Sequence, residues 1–155
     1  MGAEERLVEL GITLPPPAAV LGMYKPAVRV GRFIYVSGQL PTRGGAIVHP
    51  GRLGDGVSIE QGAEAAAVAA TNALAAARGV VGSLDGLQVV RTVGYVACTP
   101  EFDQHPAVVN GASALLRDVF GEDEGIGVRL ALGVAALPAH AAVEIEVMFE
   151  SKVGE

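Results

Sequence analysis

Residues 58–78, SIEQGAEAAAVAATNALAAAR, constrain this chain more than any other stretch. Ser58 and Gln61 form a capping-box pair. The body that follows is a run of Ala, Val and Leu, so the spacing predicts a helix from Ser58 to about Arg78, with Gly79 as its left-handed stop. A helix surfaced with alanine has little side-chain thickness and can lie close against a sheet. The rest of the chain has to supply that sheet.

Candidate strands are present on both sides of the helix. Residues 24–30 and 32–40 read as two strands joined at Gly31, with Phe33, Tyr35 and Ser37 alternating against Ile34, Val36 and Gly38. Residues 87–98 form a β-branched strand, and 128–136 and 142–150 two more, joined around Leu137-Pro138. Pro106 to Phe120 predicts a second helix, with an apolar stripe at Leu115, Leu116, Val119 and Phe120 and Gly121 as its end. Residues 41–57, rich in Gly, read as a long loop with one short strand at 46–48, and 122–127 as an acidic loop. The first 20 residues read as an appendage, a short helical stretch followed by an extended Pro15-Pro16-Pro17 segment, and 21–155 as one domain. The expected class is α+β, a mixed sheet with two helices on one face.

Composition narrows the function. Eleven basic against seventeen acidic residues give a formal charge of −6, with no Lys/Arg-rich run, which argues against a long nucleic acid as partner. Without tryptophan, and with three Tyr and four Phe, there is little material for stacking bases. Cys98 is the one cysteine, so neither an internal disulfide nor a zinc cluster is expected, and three scattered histidines suggest no metal site. The N-terminus does not read as a signal peptide and no segment is apolar enough to span a membrane, so a cytoplasmic protein is the default. Half of the residues are hydrophobic and 18% are charged. That excess of apolar residues is most simply placed in a subunit interface.

A few residues stand out chemically. Arg129 opens the otherwise apolar run RLALGVAALP, and Glu144 lies in the last strand. If those two strands pair through the Leu137-Pro138 turn, the two residues lie near the same end. There Arg129 can grip a carboxylate bidentately and Glu144 can hold or deprotonate a water. From pattern alone the simpler reading is an interface ion pair, in which Arg129 neutralises Glu144 or Glu124. Ser37-Gly38 marks either a bulge or a close approach of backbone or ligand. Tyr24 is a candidate cap on a pocket or edge packing. Asn110, in the second helix, either bonds a partner or faces water. Cys98 and His105 are conceivable as a nucleophile pair, though a buried free cysteine is the simpler reading.

The fragments VGRFIYVSGQLP (30–41), RLALGVAALP (129–138) and AVEIEV (142–147), in this order, resemble the RidA/YjgF family of reactive intermediate deaminases, also called L-PSP endoribonuclease-like. The resemblance covers about residues 20–150. It implies a chorismate-mutase-like fold of the bacillus type, with three subunits closing their sheets into a trimeric barrel and clefts between subunits. It implies hydrolysis of reactive 2-imino or enamine acids to 2-oxo acids and ammonia, with no cofactor and no metal. By the same resemblance Arg129 falls on the carboxylate-binding arginine and Glu144 on the water-orienting glutamate. Tyr24, Ser37, Gly38 and Asn110 fall on residues lining the cleft, and the backbone near Ala131 supports the imine nitrogen.

One departure is conspicuous. Where the imine-hydrolysing branch has Ser-Cys-Val-Glu after the arginine, this chain has Leu130, Ala131, Leu132 and Gly133. A trimer that only binds a small carboxylate metabolite is therefore a second expectation. Ribonuclease activity, as in the family's older name, is a third that the acidic balance disfavours.

Overall fold

The computed structural model describes residues 1–152. In chain order the elements are α1 (Ala3–Glu9), β1 (Ala27–Val30), β2 (Phe33–Gln39), β3 (Thr42–Arg43), β4 (Ala46–Ile47), β5 (Arg52–Leu53), β6 (Gly56–Val57), α2 (Ile59–Val81), β7 (Leu87–Ala97), α3 (His105–Phe120), α4 (Glu122–Gly125), β8 (Val128–Val134), a 3-10 turn at Pro138–His140, and β9 (Val143–Ser151). Five strands form one sheet in the order β1-β2-β9-β7-β8. The β7–β8 pair is parallel and the other pairs are antiparallel, so the sheet is mixed. The fold is thus the α+β arrangement expected from the sequence.

α2 begins as predicted. The Ser58 hydroxyl accepts from the Gln61 N–H, and the Gln61 side chain accepts from the Ser58 N–H. Its end differs. The helix runs past Gly79 to Val81 and stops at Gly82, which has the positive φ of 85° that a left-handed stop requires. Gly79 serves another purpose: a Cβ there would lie 3.2 Å from Pro17, so its bare backbone admits the extended proline segment. Two further expectations change in detail. Residues 122–125 form a helical turn rather than a loop, and residues 41–57 hold four two-residue strands rather than one.

Alternation along β9 fixes the two faces of the sheet. Val143, Ile145, Val147 and Phe149 are buried beneath α2, while Glu144, Glu146, Met148 and Glu150 point to the opposite face. Both long helices lie on the first face and meet through small residues. A Cβ on Gly111 of α3 would lie 1.9 Å from the Ala63 carbonyl oxygen of α2, and one on Gly94 of β7 would lie 2.3 Å from Val109. Among the described residues no helix covers the opposite face, which exposes Val30, Phe33, Tyr35, Val128 and Leu130.

The N-terminal appendage is docked on this body. Ala3 and Leu7 are buried, and the Glu4 carboxylate accepts from the Leu84 N–H and from Arg78. The β8–β9 pairing considered from the sequence does not occur. β7 lies between those two strands and pairs with both. The long α3 excursion lets the chain return parallel to β7, as parallel pairing demands a crossover.

The α2–α3 crossing yields the first test. Gly111→Ala places a methyl group on backbone that cannot retreat, so urea unfolding should show a loss of about 3 kcal/mol or a failure to fold. An unchanged midpoint would contradict the crossing described.

Candidate functional site

The sheet register places the singled-out residues in two groups on opposite faces. Arg129 stands beside Thr92 on the face that carries the helices. Glu144 stands beside Tyr95 on the uncovered face. One chain therefore does not bring Arg129 and Glu144 together, in contrast to the arrangement expected had β8 and β9 paired. The intervening strand separates them, and side-chain alternation turns them away from each other.

The first group is built on α3 and β8. Arg129 donates from Nη1 to Asn110 Oδ1 at 2.6 Å and to Ser113 Oγ at 3.3 Å. Asn110 and Ser113 are three residues apart, on one face of the helix. Among the described residues no carboxylate lies within 4.0 Å of Arg129, so neutral oxygens alone position its guanidinium. Asn110 thus bonds a partner, the less bland of the two readings its sequence allowed. With Thr92, Arg117 and the loop from Gly125 to Gly127 these residues line a cavity of about 450 Å³. Ala131, two residues along the same face of β8, is partly buried against the core and brings no polar side chain.

The second group lines a groove of about 660 Å³ that includes Tyr24, Ser37, Gly38, Pro138, Glu144 and Glu146. The register of β2 against β9 shifts between Val36 and Gln39, so Ser37-Gly38 forms a bulge. The close approach also holds, because a Cβ on Gly38 would lie 2.5 Å from Glu144 Oε1. Both readings of this dipeptide are realised at one place. The Ser37 hydroxyl donates to the Lys25 carbonyl at 2.5 Å, and the Tyr24 hydroxyl accepts from the Leu21 N–H at 3.1 Å, which folds the loop before β1 over the groove.

Electrostatics mark Glu144. Burial first, and the neighbouring Glu146 second, push its carboxyl above the usual range. Tyr95, opposite Glu144, is also raised, by burial and then by the charges of Glu146 and Glu144. Sequence reasoning missed Glu146, although its spacing of two from Glu144 already put both on one strand face. It also missed Thr92, Ser113 and Arg117. The i+3 and i+7 spacing from Asn110 could have found the last two, but Thr92 needs the β7–β8 register.

Cys98 and His105 do meet, with Sγ 3.3 Å from Nε2. Burial pushes the thiol up, only partly offset by a backbone hydrogen bond from Val134 and by the charge of Arg52. The N–H groups of Cys98 and Thr99 are bonded to the Val134 and Leu53 carbonyls, so neither is free to stabilise an oxyanion. We assign the pair to packing. A Cβ on Gly133 would lie 2.6 Å from His105 Nε2 and 2.8 Å from Cys98 Sγ. A glutamate at this position, as in the imine-hydrolysing branch, would displace both.

A family model described as "YjgF/chorismate_mutase-like, putative endoribonuclease" matches residues 4–149. The chain belongs to the YjgF family. Protein TCP17 of Trypanosoma cruzi is 38% identical over 145 residues, covering 93% of this chain and 91% of that protein. Among solved structures, the Atu1372 protein of Agrobacterium tumefaciens, of unknown function, is 40% identical with a TM-score of 0.87, covering 97% of this chain and 92% of that one. A Shewanella oneidensis protein, described as an endoribonuclease in the same words as the family, is 31% identical with a TM-score of 0.92, covering 97% and 99%. The YjgF gene product of E. coli shares the fold at 22% identity and a TM-score of 0.61, covering 90% and 94%. No helix among the described residues of this YjgF member is long and apolar enough to cross a membrane.

The raised Glu144 carboxyl gives a stability test. A carboxyl raised on folding destabilises the native state as pH rises through the unfolded and then the folded value. Glu144→Gln should therefore raise Tm relative to the unsubstituted protein at pH 7, with the gain vanishing at pH 4. An equal gain at both values would show that the carboxyl is not the cause.

Proposed function

We propose that this YjgF member hydrolyses reactive 2-imino or enamine acids to 2-oxo acids and ammonia, in clefts between the subunits of a homotrimer. The observation that carries the reading is Arg129, a cation oriented by Asn110 and Ser113 with no carboxylate of its own among the described residues. Such a guanidinium is preorganised for two parallel hydrogen bonds to a substrate carboxylate.

The opposite placement of Arg129 and Glu144 supports a composite cleft, in which the Arg129 group of one copy faces the Glu144 groove of another. The exposed Tyr35, Val128 and Leu130 of the uncovered sheet face give those copies an apolar surface to share. In that cleft Arg129 fixes the substrate carboxylate and removes orientational freedom. Glu144, its carboxyl raised by burial, takes a proton from water as the oxygen attacks the C=N carbon. Glu144 returns that proton to the carbinolamine nitrogen, the C–N bond breaks as the hydroxyl loses its proton to form the carbonyl, and ammonia leaves with the 2-oxo acid. Ser37 and Gly38 shape the backbone against Glu144, and Tyr24 covers the groove. The steps are water addition, proton transfer and C–N cleavage, with no call on a cofactor or a metal.

A second reading is a trimer that binds a small carboxylate without turnover. Ala131 and Gly133 favour it, because the β8 face beyond Arg129 offers no acid–base group. Ribonuclease activity, in the family's printed description, finds less support from a chain of charge −6 without a basic run.

Ammonia release from 2-iminobutyrate, generated in situ by a dehydratase, separates these readings. The unsubstituted protein should accelerate it, and Arg129→Ala should lose about 10²-fold or more with Tm retained. Acceleration that survives Arg129→Ala would overturn the assignment. No acceleration by either, with Tm raised by 2-oxobutyrate, would establish the binding reading. In parallel, Leu130→Glu should convert a trimer to monomers in sedimentation, and a monomeric parent protein would refute the composite cleft.

A further inference from the structure

The cavity around Arg129 contains a second cation that the proposed chemistry does not use. Asn110, Ser113 and Arg117 recur at i, i+3 and i+7 on one face of α3, and all three line that cavity. Arg117 donates to Asp118 Oδ1 from Nε at 3.0 Å and from Nη2 at 2.8 Å, and Glu122 lies 3.9 Å away. Those bonds leave Nη1 unengaged among the described residues. Exposed pairs of this kind are weak, so a ligand can recruit Arg117 without dismantling anything structural. Gly125 holds the opposite wall close: a Cβ there would lie 2.5 Å from Arg117 Cα.

Thr92 is an independent sign of a ligand. It is only 4% exposed, it contributes to the cavity wall beside Arg129, and its hydroxyl has no hydrogen-bond partner among the described residues. Among the described residues no fully buried side-chain oxygen lacks a partner, so this hydroxyl opens onto the cavity, where a ligand can bond it. A site for one carboxylate is complete with Arg129, Asn110 and Ser113. It uses neither the Thr92 hydroxyl nor Arg117 Nη1.

We propose that the Arg129 cavity selects a dicarboxylic 2-oxo or 2-imino acid, its first carboxylate on Arg129 and its second on Arg117, with the Thr92 hydroxyl between them. The inference rests on the reading of Arg129 as a carboxylate clamp. Arg117 lies four residues beyond Ser113, about 6 Å along the axis, so a second carboxylate held beyond the first has a cation within the same cavity. A dianion gains at both ends, its second carboxylate on the Nη1 that Asp118 leaves unengaged, whereas a monocarboxylate gains at one.

Isothermal titration with 2-oxoglutarate and 2-oxobutyrate tests this without any turnover. The unsubstituted protein should bind the diacid about tenfold or more tightly than the monoacid. Arg117→Gln, at a partly exposed helix position, should remove that preference and leave the 2-oxobutyrate affinity unchanged. Thr92→Val should weaken the diacid alone. Equal affinities in the unsubstituted protein, or a preference that survives Arg117→Gln, would overturn the inference while the clamp stands. Equal weakening of both ligands by Arg117→Gln would reduce Arg117 to a general field and also overturn it. If neither ligand binds, the clamp and the inference fall together, and ammonia release scores hydrolysis separately.

Discussion

Close backbone contact between α2, α3 and the sheet governs the rest of this molecule. Gly111 against Ala63 and Gly94 against Val109 leave no room for a methyl group, so α3 has one depth and one rotation. That rotation points Asn110 and Ser113 at the edge of the sheet where β8 carries Arg129. A helix packed through larger side chains would stand further from the sheet and lose the 2.6 Å contact to Asn110. The alanine-rich composition of α2 is thus a condition for the polar clamp as well as for the core. Small residues are exchanged for position: each contributes little apolar area, but the approach they allow is rigid.

The second consequence concerns the edge strand. β8 pairs with a neighbour on one side only, and its uncovered face exposes Val128 and Leu130. An edge of this kind invites another copy. The same strand holds Arg129 on its covered face, so a copy joining β8 would lie beside the Arg129 group. The groove at Glu144 lies on the uncovered face, beyond the reach of the same chain's Arg129.

Much of the fold was legible because it rests on local signals. The Ser58–Gln61 cap, the alternation of Val143, Ile145, Val147 and Phe149, and the glycine after Phe120 each act within one element. The errors arose where a local signal had two uses. Gly79 reads as a helix stop, yet its missing side chain accommodates Pro17, a residue some sixty positions away that no local pattern reveals. Pairing β8 with β9 followed from their adjacency in sequence. The insertion of β7 between them is a matter of topology. In the site, Arg129, Glu144, Tyr24, Ser37, Gly38 and Asn110 were named beforehand because the family motifs mark them. Their division between two faces was hidden, since it depends on the register Thr92–Arg129 and Tyr95–Glu144. Thr92 itself gives no sequence signal at all.

The residues after Arg129 show how far the family pattern can drift while the clamp persists. On the covered face of β8, Ala131 packs into the core and Gly133 lies over the Cys98–His105 contact. Gly133 cannot take a side chain unless His105 and Cys98 move, so this part of the strand is filled space rather than an open pocket. The polar groups that remain near Arg129 come instead from α3 and β7: Asn110, Ser113, Arg117 and Thr92. On β8 the arginine keeps its two oxygen supports, while the other polar side chains lining its cavity stand on the helix and the strand that flank it. That division follows from the packing of α3: the close contacts that set the depth of Asn110 and Ser113 also set that of Arg117, further along the same face.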